Sequence, residues 1–247
     1  MARPRAPQYA LQRELILRKA AELFAQQGYG GASMNEVAQA CGVSKAALYH
    51  YVKDKSQLLV EIALEHVARL EAVVQEVLVD AAGTQGPQQR MQALIVRFVQ
   101  EYADARHEHR VLTEDVKFLE PADRRRVVQA QKRVVNAFAQ TVGELRPELV
   151  TSGLHKAVTM LLFGMINWMF TWLRPQGPLT HERMAPIVCE LFFGGLSAVS
   201  VSAQDQSGPI RSGPAAPNVK ASPISRKRKN APTRPRATPR QTKGDSR

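Results

Sequence analysis

Cysteine is nearly missing: Cys41 and Cys189 are the only two in 247 residues, and neither sits in a paired spacing. A disulfide-stapled scaffold and a four-cysteine zinc site are thereby excluded, and this usage suits a reducing compartment. Aromatic residues make up only 6%. Runs that alternate apolar and polar residues do not occur, and the β-branched residues are scattered, which leaves little material for a sheet. No repeat of roughly 20–50 residues is present, so a solenoid is excluded. The first residues, Met1 to Gln8, are polar and rich in Pro and lack the apolar centre of a signal peptide. Enzyme signatures are missing as well: there is no G-x-S-x-G, no Walker loop and no Rossmann glycine pattern. His107 and His109 flank Glu108, but no third ligand follows at metal-site spacing. Neither an enzyme, a cofactor nor a bound metal is expected.

What is present is an ordinary globular balance, 44% hydrophobic and 23% charged, with a strong basic excess of 34 Lys and Arg over 22 Asp and Glu. The excess is concentrated at the end of the chain. Residues 204–247 hold 11 basic residues against 2 acids, together with seven Pro and three Gly, and they have no aromatic residue. Such a segment cannot bury enough apolar surface to offset its ordering entropy, and a disordered basic tail is expected there. One uncharged run, Ala157 to Leu173, lies between Lys156 and Arg174. Its 17 residues reach only the lower limit of a membrane span, and they include Thr159, Asn167 and Thr171. The favoured reading is a helix buried on two sides, with no membrane partner; a membrane anchor is the alternative.

Helical periodicity runs through nearly all the rest, so the fold class is all-α. A first helix extends from about Gln8 to Gln27 and stops at Gly28. Ser33 and Glu36 form a capping box that starts a short second helix. Ser44 caps a third, Lys45 to Tyr51, and Asp54 with Gln57 opens a long fourth, to about Val79. Gly and Pro between Ala81 and Pro87 make a break. Further helices are expected over 88–105, 108–119 and 122–145, then an apolar helix over 148–173, and a last one from the Thr180 cap to about Val201.

Two short helices joined at Cys41-Gly42-Val43 fit a helix-turn-helix over about residues 33–52. Val37, Ala38, Val43 and Leu48 are spaced to pack on the first helix, and Gly42 can adopt the left-handed backbone of a tight turn. The third helix then turns Lys45, Ala46, Tyr49 and His50 outward. In this motif the second helix enters the major groove of DNA. Lys45 suits guanine acceptors and Ala46 permits close approach. Tyr49, Tyr51 and Lys55 suit phosphate oxygens.

The stretch GYGGASMNEVAQACGVSKAALYHYVKDKSQLL resembles the TetR family of bacterial transcription regulators. The resemblance rests on Phe24, Gly28-Tyr29, Ser33, Val37-Ala38, Gly42-Val43-Ser44, Leu48-Tyr49, Tyr51 and Lys53-Asp54-Lys55. Family members usually carry Gly or another small residue near Ala46. The resemblance implies an all-helical cytoplasmic homodimer with a three-helix DNA-binding domain and a larger ligand-binding and dimerisation domain. Here these would span residues 8–55 and 56–203, with the tail from 204. By position, Ser33, Met34, Asn35, Ser44, Lys45, Ala46, Tyr49, His50, Tyr51 and Lys55 make the implied DNA-contact set. The last two helices would pair with their copies in a second subunit, with Gly164, Gly194, Gly195 and Ser197 allowing close approach.

The large apolar residues near the C-terminal helices supply a candidate ligand pocket: Phe98, Tyr102, Phe118, Met160, Phe163, Asn167, Trp168 and Trp172. Met adapts well to apolar ligands, and a buried Asn167 must find a hydrogen-bond partner. The stretch INWMFTWLRPQGPLTHERMAPIVCELFFGGL more loosely resembles family members that control aromatic, steroid or fatty-acid breakdown, some of which respond to acyl-CoA thioesters. That resemblance implies a small apolar or acyl-CoA-like effector, with Arg106, His107, His109, Arg110 and Arg124-Arg125-Arg126 available for its phosphates. A ligand-responsive repressor on a palindromic double-stranded DNA operator is the leading expectation. An architectural DNA binder that uses the basic tail without a ligand is the alternative.

Overall fold

The computed structural model describes residues 7–80, 85–174 and 177–201. Every regular element among them is helical. The expected basic tail and the start of the 81–87 break lie outside the described residues.

The N-terminal unit contains α1 (Pro7–Gly31), α2 (Met34–Ala40) and α3 (Lys45–Tyr49). Ile16, Leu17, Ala20, Ala21 and Phe24 recur at helical spacing on α1 and are all buried. The helix runs past its expected end but is broken at Gly28, whose φ of 77° and ψ of 153° are open only to glycine. Val37 and Ala38 of α2 and Leu48 of α3 complete this small core.

The long α4 (Lys55–Asp80) belongs to both halves. Its first turns bury Leu58, Leu59 and Ile62 beside α1, where Arg13 forms ion pairs with Glu61 at 2.6 Å and with Glu65. Further along, Val67, Leu70, Val74 and Val77 continue the buried stripe against α5 (Pro87–Asp104), α6 (Arg106–Glu114) and α7 (Pro121–Leu145). A 3₁₀ turn, Val116–Phe118, joins α6 to α7. The centre of the second unit is aromatic: Phe98, Phe138 and Phe163 meet with ring centroids 4.7 to 6.3 Å apart.

The expected single helix over 148–173 is instead three: α8 (Pro147–Thr151), α9 (His155–Asn167) and α10 (Met169–Trp172). Gly153 at φ 74° ends the first, and its N–H bonds back to Val150. The second break comes at Trp168, whose carbonyl accepts both the N–H and the hydroxyl of Thr171. The last helix, α11 (His181–Ala198), starts at its Thr180 cap and packs on α5 and α9. Arg146, between α7 and α8, donates to the carbonyls of Leu196 and Val199 and so caps the end of α11. No helix among the described residues is long and apolar enough to cross a membrane, which corrects the alternative reading of 157–173 as an anchor.

Candidate nucleic-acid interface

Local chemistry fixes α2, the turn and α3. Ser33 is extended, its hydroxyl accepts from the Glu36 N–H at 3.3 Å, and the Glu36 carboxylate accepts from the Ser33 N–H at 2.8 Å. The Ser33 hydroxyl also donates to the Glu36 carboxylate at 2.7 Å, and this bond, with that from the Ser33 N–H, holds the Glu36 carboxyl below its usual titration range. At the other end, the Val43 N–H bonds to Ala38 and the Gly42 N–H to Gln39, with Gly42 at φ 65°. This is the Schellman arrangement, and it reverses the chain within two residues. Ser44 then caps α3 by accepting from the Ala47 N–H at 3.1 Å. With Leu48 fully buried, the rotation of α3 is set, and Ser44, Lys45, Ala46, Tyr49 and His50 are all exposed.

The remaining members of the proposed contact set are less uniform. Ser33 and Asn35 are exposed, and Met34 is half-buried at the start of α2. Tyr51 is half-buried and stacks on Tyr9 at 4.7 Å. Lys55, at the start of α4, is also half-buried and places its ammonium 4.4 Å above the ring of Tyr29. Exposed Ser, Lys, Tyr and His on one helix face can meet phosphate and base edges without displacing any internal contact. Tyr51 and Lys55 must share their side chains with a neighbour. The expected reciprocal cap at Asp54 is shifted: Asp54 accepts from the Gln57 N–H at 2.8 Å, but the Gln57 amide oxygen accepts from Lys53 instead.

Tyr29 connects this unit to the second one. The glycine break just before it brings its ring edge-on to Phe24 and into a stack with Phe118 at 5.5 Å. Its backbone N–H meets the carboxylate of Asp115, which burial pushes upward in pKa on balance. A displacement of the α6–α7 connection is thereby felt at the end of α1.

Residues 16–62 match the family described as "Bacterial regulatory proteins, tetR family", and residues 84–196 match "Tetracyclin repressor-like, C-terminal domain". A TetR-family transcriptional regulator of Bordetella parapertussis has a solved structure that is 31% identical, with a TM-score of 0.69, over 76% of this chain and 98% of that one. The chain belongs to the TetR family. It is also 23% identical to the HTH-type transcriptional repressor KstR2 of Mycolicibacterium smegmatis, over 80% of this chain and 96% of the relative. The crystal structure of AibR in complex with isovaleryl coenzyme A and operator DNA is 25% identical, with a TM-score of 0.63, over 73% of this chain and 97% of that one. This TetR-family chain is therefore a transcriptional regulator with a helix-turn-helix, and not an enzyme.

The eight candidate pocket residues differ in burial. Phe98, Tyr102 and Phe163 are buried in the core. Phe118, Met160, Trp168 and Trp172 are each about half exposed, and Phe118 stacks on Tyr29 instead. Asn167 is half-buried, with its Oδ1 enclosed. Surface clefts of about 450 and 490 Å³ lie elsewhere, and none of the eight lines either. His109, expected among the cations for phosphates, is buried, and burial pushes its pKa down to about 4, so it is neutral at pH 7. Sequence reasoning missed its partner, His66, although that residue sits in line with Ile62 and Leu70 on the buried stripe of α4.

Proposed function

We propose that this regulator is a ligand-responsive repressor that binds a palindromic operator as a homodimer beside the chromosome, in the cytoplasm. The observation that carries this reading is α3: a short helix, capped and fixed by Leu48, presenting Lys45, Ala46, Tyr49 and His50 together. Two such helices on a two-fold axis dock when spaced by about one turn of DNA, roughly 34–36 Å. The Tyr29–Phe118 stack supports a switch, because a ligand that displaces the second unit alters that spacing. A ligand releases the DNA only if it binds the released state more tightly. The effector is a small apolar molecule or an acyl-CoA; the isovaleryl coenzyme A in the AibR structure supports the latter.

Footprinting on duplexes selected from a random pool tests the reading. A repressor protects one palindrome, and a reporter placed behind that palindrome rises when the gene is deleted. A reporter that falls makes the protein an activator. Uniform protection, together with a salt slope that collapses when residues 204–247 are removed, favours the architectural reading, because a basic arm follows phosphates without reading bases.

A further inference from the structure

Two lysines and two aromatic rings form a series that runs from the helix-turn-helix onto the second unit. The ammonium of Lys55 lies 4.4 Å from the centre of the Tyr29 ring. Tyr29 stacks on Phe118 at 5.5 Å, with the ring planes 22° apart. The ammonium of Lys117 in turn lies 5.1 Å from the centre of the Phe118 ring. These three steps hold the two ammonium groups within about 15 Å of each other. Lys55 opens α4, whereas Lys117 and Phe118 belong to the 3₁₀ turn between α6 and α7.

The series leaves its charge available to an outside partner. A ring attracts a cation through its quadrupole, but it carries no net charge and cannot neutralise one. Neither lysine forms an ion pair among the described residues. Asp115 feels the charge of Lys117 and Glu36 that of Lys55, yet Asp115 is buried on the Tyr29 N–H and Glu36 is engaged by Ser33. The other cations near this turn differ: Arg110 is paired with Glu114 and Arg126 with Asp123, both at 3.0 Å. Lys117 is exposed and Phe118 is 50% exposed, so this end of the series faces solvent.

We propose that Lys117 is a phosphate-binding residue supplied by the second unit, and that it meets the DNA backbone beside the phosphate taken by Lys55. Duplex DNA presents one phosphate for every 3.4 Å of axis along each strand, so a reach of about 15 Å covers at most about four phosphate steps. Both ammonium groups can therefore engage the same stretch of duplex. The rings restrain the two side chains before DNA arrives, which lowers the entropy lost on contact. The inference rests on the reading of α3 and the start of α4 as the DNA-facing side. It continues that surface past the helix-turn-helix and requires no effector.

Titrations of the full-length protein on selected operator and scrambled duplexes, across several salt concentrations, test the assignment. The variants are Lys117→Gln, Lys117→Arg, Lys55→Ala and Lys132→Gln. Lys132 is the control: it is exposed, and its neighbour Arg133 pairs with Glu71, which lies about 24 Å along α4 from Lys55. Lys117→Gln should weaken binding to both duplexes alike and lower the salt slope by about one unit for each bound chain, as Lys55→Ala does. Lys117→Arg, which keeps the charge, should hold the parent slope, and so should Lys132→Gln. Thermal unfolding verifies that each variant folds. An unchanged slope in Lys117→Gln, a fall that Lys117→Arg shares, or an equal fall in Lys132→Gln overturns the proposal. If Lys55→Ala lowers the slope and Lys117→Gln does not, the DNA-facing surface stands and ends at α4. If neither lowers it, the placement of that surface falls as well.

Discussion

Lys45 and Lys55 carry the same charge in different settings. Lys45 is exposed at the first position of α3, whereas Lys55 is half-buried and already engaged with Tyr29. Lys45→Ala should weaken operator binding by roughly 1–3 kcal/mol and relax preference at one position in each half-site. Lys55→Ala should weaken all sequences alike and lower the salt slope by about one unit. Titrations on operator and scrambled duplexes at several salt concentrations measure both, and sequence-blind losses for both would remove Lys45 from base reading. The buried histidines give a prediction of another kind. His109 stays neutral in the folded chain down to about pH 4, while in the unfolded chain it protonates near the ordinary imidazole value of 6.5. Between those values the unfolded state binds more protons, so stability falls as pH drops through that window. The loss from His109 approaches roughly 3 kcal/mol at pH 4, and His66 adds to it in the same direction. Urea midpoints at pH 7.5 and pH 5 should differ less in His109→Gln than in the parent. The outward residues of α3 were legible in sequence because caps and helical phase are local. His66 and His109 were not, because their burial depends on helices 43 positions apart in the chain.

The elements show the same division. The stretch 33–52 was readable because Ser33, Glu36, Gly42 and Ser44 each satisfy a backbone need within a few residues. The two breaks inside 148–173 were not. An apolar run looks continuous in helical phase, and the turn at Gly153 depends on a positive φ that no periodicity reveals. Glycine backbone also gives a ranked prediction. A Cβ at Gly42 or Gly28 would meet nothing within 4 Å, so the cost of alanine at either is conformational. Gly42 at φ 65° is in the left-handed helical region, and Gly42→Ala should cost about 1 kcal/mol. Gly28, with φ 77° and ψ 153°, occupies a region essentially closed to other residues, and Gly28→Ala should cost up to about 3 kcal/mol. Denaturant unfolding of the two variants checks the order; a smaller loss at Gly28 would mean that the Tyr29 joint relaxes freely.

At the scale of the whole molecule, the surface left by α9 and α11 is unusual for a protein that stays single. Leu161 is 71% exposed and Leu191 63%; exposed Met160 adjoins the first, and exposed Ile187 lies four residues before the second. The glycines in these helices, Gly164, Gly194 and Gly195, have open space where a side chain would project. An apolar stripe reads alike in sequence whether it fills a core, lines a pocket or meets a second copy, and Met160, Trp168 and Trp172 are each about half exposed. If this face pairs two chains, Gly195→Leu should leave the fold of each chain intact yet yield monomers in sedimentation and abolish cooperative operator binding. A dimer that survives this substitution would place the seam elsewhere. A site read by two α3 helices and filled from single chains obeys mass action on pairs. Below the concentration at which the chains associate, occupancy of the operator rises with the square of the number of chains. Doubling the dose of the gene then roughly quadruples the occupied fraction while it remains small, so the cell's copy number becomes an input to the switch alongside the ligand.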